Sequence, residues 1–338
     1  MFEWLSIYFS GPVGDIATAA LAVIVGPVAT FAFYMLLNWL VNLLPRKAGN
    51  IVRPYVFIGP VLALVGTMLV LPTIGTVLSA FKNEDGTEWV GIRNFLKLFK
   101  DPNFGSTVFN NFEWVAVVPI VTVAFGIMIA TLTDRLGPIR ERVIKGIIFM
   151  PLAISFVAAS SIWRLTYSWT GGGQQEVGML NAIVTAFGGQ PVSWMQAEEF
   201  TLNNLLIMVV VIWANAGFAM TLLSAAIKAV PEETIEAAAI DGATGWQVFW
   251  RVILPQIRVT AVSVFITVLI STMKIFDVIW GMTGGNFHTN VLGVDFFLEY
   301  FVYNNEGKAS AVVVILMLAI IPIMIYQVRT YRKQEELR

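Results

Sequence analysis

The chain has no cysteine and a single histidine, His288, in 338 residues. Disulfides, thiol catalysis and zinc–thiolate sites are therefore excluded. One histidine between apolar runs is far more often a polar surface residue than a catalytic base. Charge is scarce as well: 13% of residues are Asp, Glu, Lys or Arg, the net charge is −1, and no basic cluster suits a nucleic acid. The pattern G-x-x-x-x-G-K-[ST] is missing. Gly307-Lys308 has neither the upstream glycine nor the following Ser or Thr, so no P-loop for ATP is expected. The first fifteen residues contain no Lys or Arg, so no cleavable secretory signal is expected. Nothing in the chain reads as a catalytic group, a metal-ligand cluster or a cofactor site.

What is present is apolar. Hydrophobic residues make up 57% of the chain and the mean hydropathy is +0.75. Repeated runs of about twenty such residues read as an all-α membrane protein with about seven transmembrane helices. The spans are expected near 16–44, 54–80, 113–133, 146–167, 204–228, 258–281 and 309–330. Six remain if the first only rests on the bilayer, and eight result if it divides at Gly26-Pro27.

Lys and Arg orient these spans. One set of connections holds Arg46, Lys47 and Arg53; Arg135, Arg140, Arg142 and Lys145; Lys228, Arg251 and Arg258; and Arg329, Arg332, Lys333 and Arg338, fourteen in all. The other holds five: Lys82, Arg93, Lys97, Lys100 and Lys308. The richer set belongs in the cytoplasm, which puts the N-terminus outside and the C-terminus inside. Of the two long outer connections, 82–112 carries Ile92, Phe95, Leu96 and Phe99 at helical spacing, an expected short amphipathic helix. The other, 168–203, is rich in Gly, Gln, Asn and Trp. Either is placed to receive a soluble partner.

Between the fifth and sixth spans lies a polar-rich stretch, PEETIEAAAIDGATGWQVFWRVILPQIR, from Pro231 to Arg258. Pro231 suits a first helical position, and Glu232 and Glu233 place acid on the positive end of the helix dipole. Gly242, after Asp241, suits a left-handed cap. Trp246, Phe249, Trp250 and Ile253 share one arc of a second helix, which Pro255 is expected to close. The pattern is a helix, a turn and a second amphipathic helix on the cytoplasmic side. A hairpin that merely rests on the bilayer would carry the same pattern.

The residue identities go further. Glu236-Ala237-Ala238, three residues, Gly242, nine residues, Val252, one residue and Leu254-Pro255 resemble the E-A-A signature of permease subunits in binding-protein-dependent ABC importers. Val252 stands where that signature has isoleucine. Similar matches extend to Trp163-Arg164, Gly178-Met179-Leu180-Asn181, Ala229-Val230-Pro231-Glu232-Glu233 and Thr283-Gly284-Gly285. The resemblance spans about 54–338 and is closest to carbohydrate permeases of the maltose and α-glucoside type.

The resemblance implies a six-span type I permease core over 54–338, with residues 1–53 adding an N-terminal span and a cytoplasmic connection. It implies that Glu236, Ala237, Ala238, Asp241, Gly242, Leu254 and Pro255 couple the chain to a separate ATPase, which carries the ATP and Mg. The implied partners are a second permease subunit, two copies of an ATP-binding subunit and an extracytoplasmic sugar-binding protein. The implied substrate is an oligosaccharide such as maltose, trehalose or sucrose, carried by alternating access across the cell inner membrane.

The sixth span carries Ser263, Thr267, Ser271, Lys274 and Asp277 within about a third of the helical wheel. Charges at mid-bilayer cost about 2.5–3.5 kcal/mol, so Lys274 and Asp277 must face protein or water. Three residues apart on one helix, they can pair. Two readings stand: a pair that holds the helix to a neighbour, or a polar wall that meets sugar hydroxyls. Trp213 and Asn215 in the fifth span offer a ring platform and an amide to the same path, although Trp213 serves equally as packing. A competing function follows from the same residues, an ion-coupled secondary transporter using Lys274 and Asp277. That alternative needs an ion gradient and no ATPase.

Overall fold

The computed structural model describes residues 12–171 and 178–335. Among these residues extended pairing is limited to one antiparallel bridge, Lys82 to Trp89. The long helices are α1 (Pro12–Asn42), α2 (Arg46–Ser79), α4 (Pro102–Asp134), α8 (Leu202–Lys228), α10 (Gly245–Met273) and α13 (Glu306–Glu335). Shorter ones are α3 (Arg93–Lys100), α5 (Pro138–Phe149), α6 (Phe156–Thr166), α7 (Met179–Ala186), α9 (Glu232–Ile240), α11 (Asp277–Met282) and α12 (Leu292–Phe297). Six are long and apolar enough to cross a bilayer, and the bent pair α5–α6 makes up to seven crossings. The spans begin and end on the residues that punctuate them. Asp101 caps α4 by accepting from the Asn103 amide, with Pro102 at the first turn.

The chain forms two compact units, Met1–Gly75 and Thr76–Arg338. The sequence places its division earlier, after residue 53, at the charged loop. In the first unit α1 and the following helix pair through a Tyr34–Phe57 ring stack and a 2.8 Å bond from Arg53 to Asn42. Of its residues whose burial is described only Val41 and Gly49 are buried. α1 runs unbroken through Gly26-Pro27.

The second unit is built around α8, half of whose most apolar stretch is buried. In a bilayer the outside is as apolar as the inside, so helices associate through close backbone approach rather than hydrophobicity. α8 meets α4 where Gly126 faces Ala219 and Leu223; a methyl group on Gly126 would sit 2.7 Å from the Ala219 Cβ. It meets α5 where Gly217 faces the Ile148 carbonyl, which would lie 2.6 Å from an added Cβ. Trp114, Val118, Ile207, Met208, Leu223 and Ile257 fill the space between, all essentially buried.

Four local expectations differ. The 146–167 run is not one straight helix. Pro151 sits in a 3₁₀ turn, Ser155 starts α6 by accepting from the Ala158 amide, and the two limbs meet at 102°. The sixth span stops at Met273 rather than 281. Pro255 does not close the hairpin's second helix, because α10 passes through it by widening to a π turn at Phe249–Ile253. That wider turn accommodates the missing N–H and the ring. Finally, α3 forms as expected but buries Asn94 and Leu98, while Ile92, Leu96 and Phe99 are exposed. Apolar spacing on a membrane protein marks the lipid-facing side as readily as the core.

Candidate functional site

The hairpin of α9 and the start of α10 projects from the second unit, and α9 buries none of its residues. Pro231 is the N-cap of α9, one place before the helical position expected of it. At the other end the Gly242 amide donates to the Ala239 carbonyl and the Ala243 amide to the Ala238 carbonyl, both at 3.0 Å. With Gly242 at φ +81°, this is a Schellman closure, which a side chain at that position would strain. Thr244 opens α10 with a capping box: its hydroxyl accepts from the Gln247 amide, and the Gln247 side chain accepts from the Thr244 amide. The spacing Thr-x-x-Gln, from Thr244 to Gln247, carries this signal in the sequence.

The predicted coupling residues thus fall on two consecutive helices and the turn between them. Glu236, Ala237, Asp241, Gly242 and Pro255 are exposed, while Ala238 and Leu254 are half-buried. The large side chains that face outward are Ile240, at 86% exposure, Trp246, at 71%, and Trp250, at 49%. Outward-facing apolar groups on a polar elbow are what a docked partner would cover.

At the hairpin's root the chain places an ion cluster that sequence reasoning missed. Lys228, the last residue of α8, lies 2.6 Å from Glu141 of α5 and 3.9 Å from Asp134, the last residue of α4. Lys145 bonds both Glu141 and Ser224 of α8. Three helix ends are therefore tied together three residues ahead of Pro231. Glu141 and Lys145 four apart on one helix are the only part of this visible in sequence.

The polar edge of α10 is present in part. Ser263, Thr267 and Ser271 recur every four residues on the half-buried to exposed side of the helix, away from its packed face. Ser263 and Thr267 donate to carbonyls one turn back, so each keeps acceptor capacity for a ligand. Lys274 and Asp277 do not continue that helix. Lys274 is its C-cap, Ile275 and Phe276 form the break, and Asp277 opens α11. Among the described residues neither charge has an ion-pair partner, and both are exposed. The break is held by packing: Phe276 lies 5.0 Å from the Phe297 ring, and Ile275 is buried. Trp213 packs edge-on against Trp163 at 5.7 Å, and the Asn215 amide donates to the Val211 carbonyl on its own helix.

The opposite end of the unit is held by buried asparagines. Asn110 donates to the carbonyls of His288 and Asn290, and Asn203 to that of Phe287. Asn111 accepts from the Leu292 amide and donates to the Met273 carbonyl. These bonds fix the 283–292 connection, where Phe287 and His288 have positive φ. His288 itself is 2.9 Å from Glu198, on the surface. The doublets Asn110-Asn111 and Asn203-Asn204 inside apolar helices are a sequence signal for such ties, since unpaired amides in a membrane are costly.

An all-helical membrane unit with a capped, exposed elbow between two spans fits a transport permease, the class that the family match gives. The chain belongs to the family of binding-protein-dependent transport system inner membrane components, whose model matches residues 122–335, and it is a multi-pass inner-membrane protein. It is 39% identical over 289 residues, 85% of each chain, to the alpha-glucoside transport system permease protein AglF of Rhizobium meliloti. It is 41% identical over 282 residues, 83% of this chain and all of the relative, to the osmoprotective compounds uptake permease protein GgtC of Synechocystis. Among solved structures it resembles a chain of a bacterial alginate ABC transporter, crystallised with an alginate pentasaccharide-bound periplasmic protein. That likeness has a TM-score of 0.70 at 20% identity and covers 80% of this chain and 91% of that one. The shared feature is the fold.

Proposed function

We propose that the chain is one membrane-embedded permease of an ATP-driven importer for a polyhydroxylated solute, an α-glucoside in the first instance. The hairpin faces the cytoplasm and docks on a separate ATPase, which binds ATP and Mg; two such ATPases, a second permease and an extracytoplasmic binding protein complete the assembly. The observation that carries this reading is the hairpin's construction. A segment folded by its own caps, with no residue of α9 buried and only Val248 buried in the first turn of α10, keeps its shape while presenting most of its surface to a partner. The excess of Lys and Arg on its side and the alpha-glucoside named for the 39% identical relative support the orientation and the solute class.

In this account ATP-driven closure of the ATPases carries the hairpin, and α8 and α10 move with it because they continue from its two ends. Ser263, Thr267 and Ser271 line the path, with Lys274 and Asp277 at its end. The ion-coupled alternative loses its basis, since Lys274 and Asp277 lie on separate helices and form no pair. The test is co-purification with an ATPase subunit, followed by ATPase assays with an α-glucoside and with an osmoprotective solute in parallel. Stimulation by the α-glucoside through the binding protein is expected. Uptake that persists without any ATPase would overturn the proposal.

A further inference from the structure

Between α4 and the start of α10 lies a cavity of about 700 Å³, within the range of small-molecule sites. From α4 it is lined by Ile127, Met128, Thr131 and Leu132, and from α10 by Trp246, Phe249 and Trp250. One charged residue lines it, Arg135, just past the end of α4. Arg135 is exposed and has no ion-pair partner among the described residues. The adjacent Asp134 faces Lys228, at 3.9 Å, and does not neutralise it. Trp246 and Trp250 stand edge to face at 5.4 Å beside it and are exposed.

This arrangement has the order of a bilayer leaflet. Apolar side chains from two membrane-crossing helices form the deep part, tryptophans mark the headgroup level where their rings are favoured, and a free guanidinium sits at the outer rim. A guanidinium presents a rigid fork of donors that fits a phosphate, and an apolar groove between spanning helices is filled by an acyl chain. The geometry points to a binding site for an anionic phospholipid, with Arg135 taking the phosphate and the groove below it one acyl chain. The inference draws on the proposed orientation only to choose the cytoplasmic leaflet. Because Trp246, Phe249 and Trp250 belong to the hairpin's second helix, a bound lipid would brace the elbow against α4.

The test is native mass spectrometry of the purified assembly, titrated with phosphatidylglycerol and separately with phosphatidylethanolamine. Wild-type protein is expected to retain phosphatidylglycerol in preference. Arg135→Gln should weaken that retention about fivefold, and Arg142→Gln, on α5 outside the groove, should leave it unchanged. Thr131→Trp fills the groove from the other helix and should exclude the lipid without removing charge, which covers the case of a misfolded Arg135 variant. Equal retention in Arg135→Gln and wild type, or equal retention of the two lipids, overturns the site. So does an Arg135→Gln protein that keeps the lipid but sheds the second permease, because the groove is then a seat for protein. A failed transport assay would not alter lipid retention, so the two proposals fail separately.

Discussion

The hairpin and the asparagine-tied connection at 283–292 sit at opposite ends of α10 and solve opposite problems. The hairpin is local. Its turn is closed by bonds between residues three and five apart, and its second helix opens with a box spanning three. The 283–292 connection depends on side chains far away in sequence, Asn110 and Asn111 on α4 and Asn203 on α8. One end can move as a body because its turn is closed by its own bonds. The other is a fixed joint, and any rocking of the spans has to leave it intact or break several buried bonds together.

That contrast orders the expected effects of substitution. Asn110→Ala strikes the fixed joint hardest. It leaves the carbonyls of His288 and Asn290 unpaired, at a cost of about 2–3 kcal/mol, and should lower the melting temperature of detergent-solubilised protein. Gly242→Val acts on the mobile end. Strain of about 1–2 kcal/mol in the left-handed turn should distort the elbow while the spans still insert and melt normally. The expected signature is normal assembly and ATPase activity with uptake lost, read by comparing transport with ATP turnover. Thr244→Ala removes one half of the capping box, worth about 1 kcal/mol, and should reduce uptake several-fold with little change in melting temperature. A large fall in melting temperature for either hairpin variant would blur the distinction.

The smallest effect concerns Asp295 on α12, whose carboxyl is pushed up to about 6, first by burial and then by the nearby Glu299. The Asn290 amide and the cation of Lys308 oppose this, and Asp101 adds to it. The folded state therefore holds a proton that the unfolded chain has released. Its contribution to stability is full below about pH 4 and is lost as pH rises toward 6. Asp295→Asn should flatten that part of the melting-temperature profile and leave the remainder alone.

Much of this was legible in the sequence, for identifiable reasons. Membrane spans announce themselves by composition, because a bilayer demands about twenty apolar residues whatever their partners. The elbow was legible because its grammar is local: Gly242 as a turn, acids at the start of α9, a fixed spacing to Leu254-Pro255. The sixth span was misread where the determining contacts are distant. Nothing near Lys274 in sequence says that Phe276 will pack on Phe297 and end the helix at Met273. The α5–α6 bend was readable from Pro151 and Ser155, but an apolar run is easily taken as one span. The cluster of Glu141, Lys145, Lys228 and Asp134 joins three helix ends, and only one of its pairs lies on a single helix.

The natural absence of cysteine makes the central claim directly measurable. Ile240→Cys places a single thiol at the most outward-facing apolar position of the elbow, to be probed with a membrane-impermeant maleimide. The account predicts labelling in inverted membrane vesicles, none in intact cells, and protection when the ATPase subunit is bound. Labelling from the outside of intact cells, or labelling that the bound ATPase leaves unchanged, would contradict it.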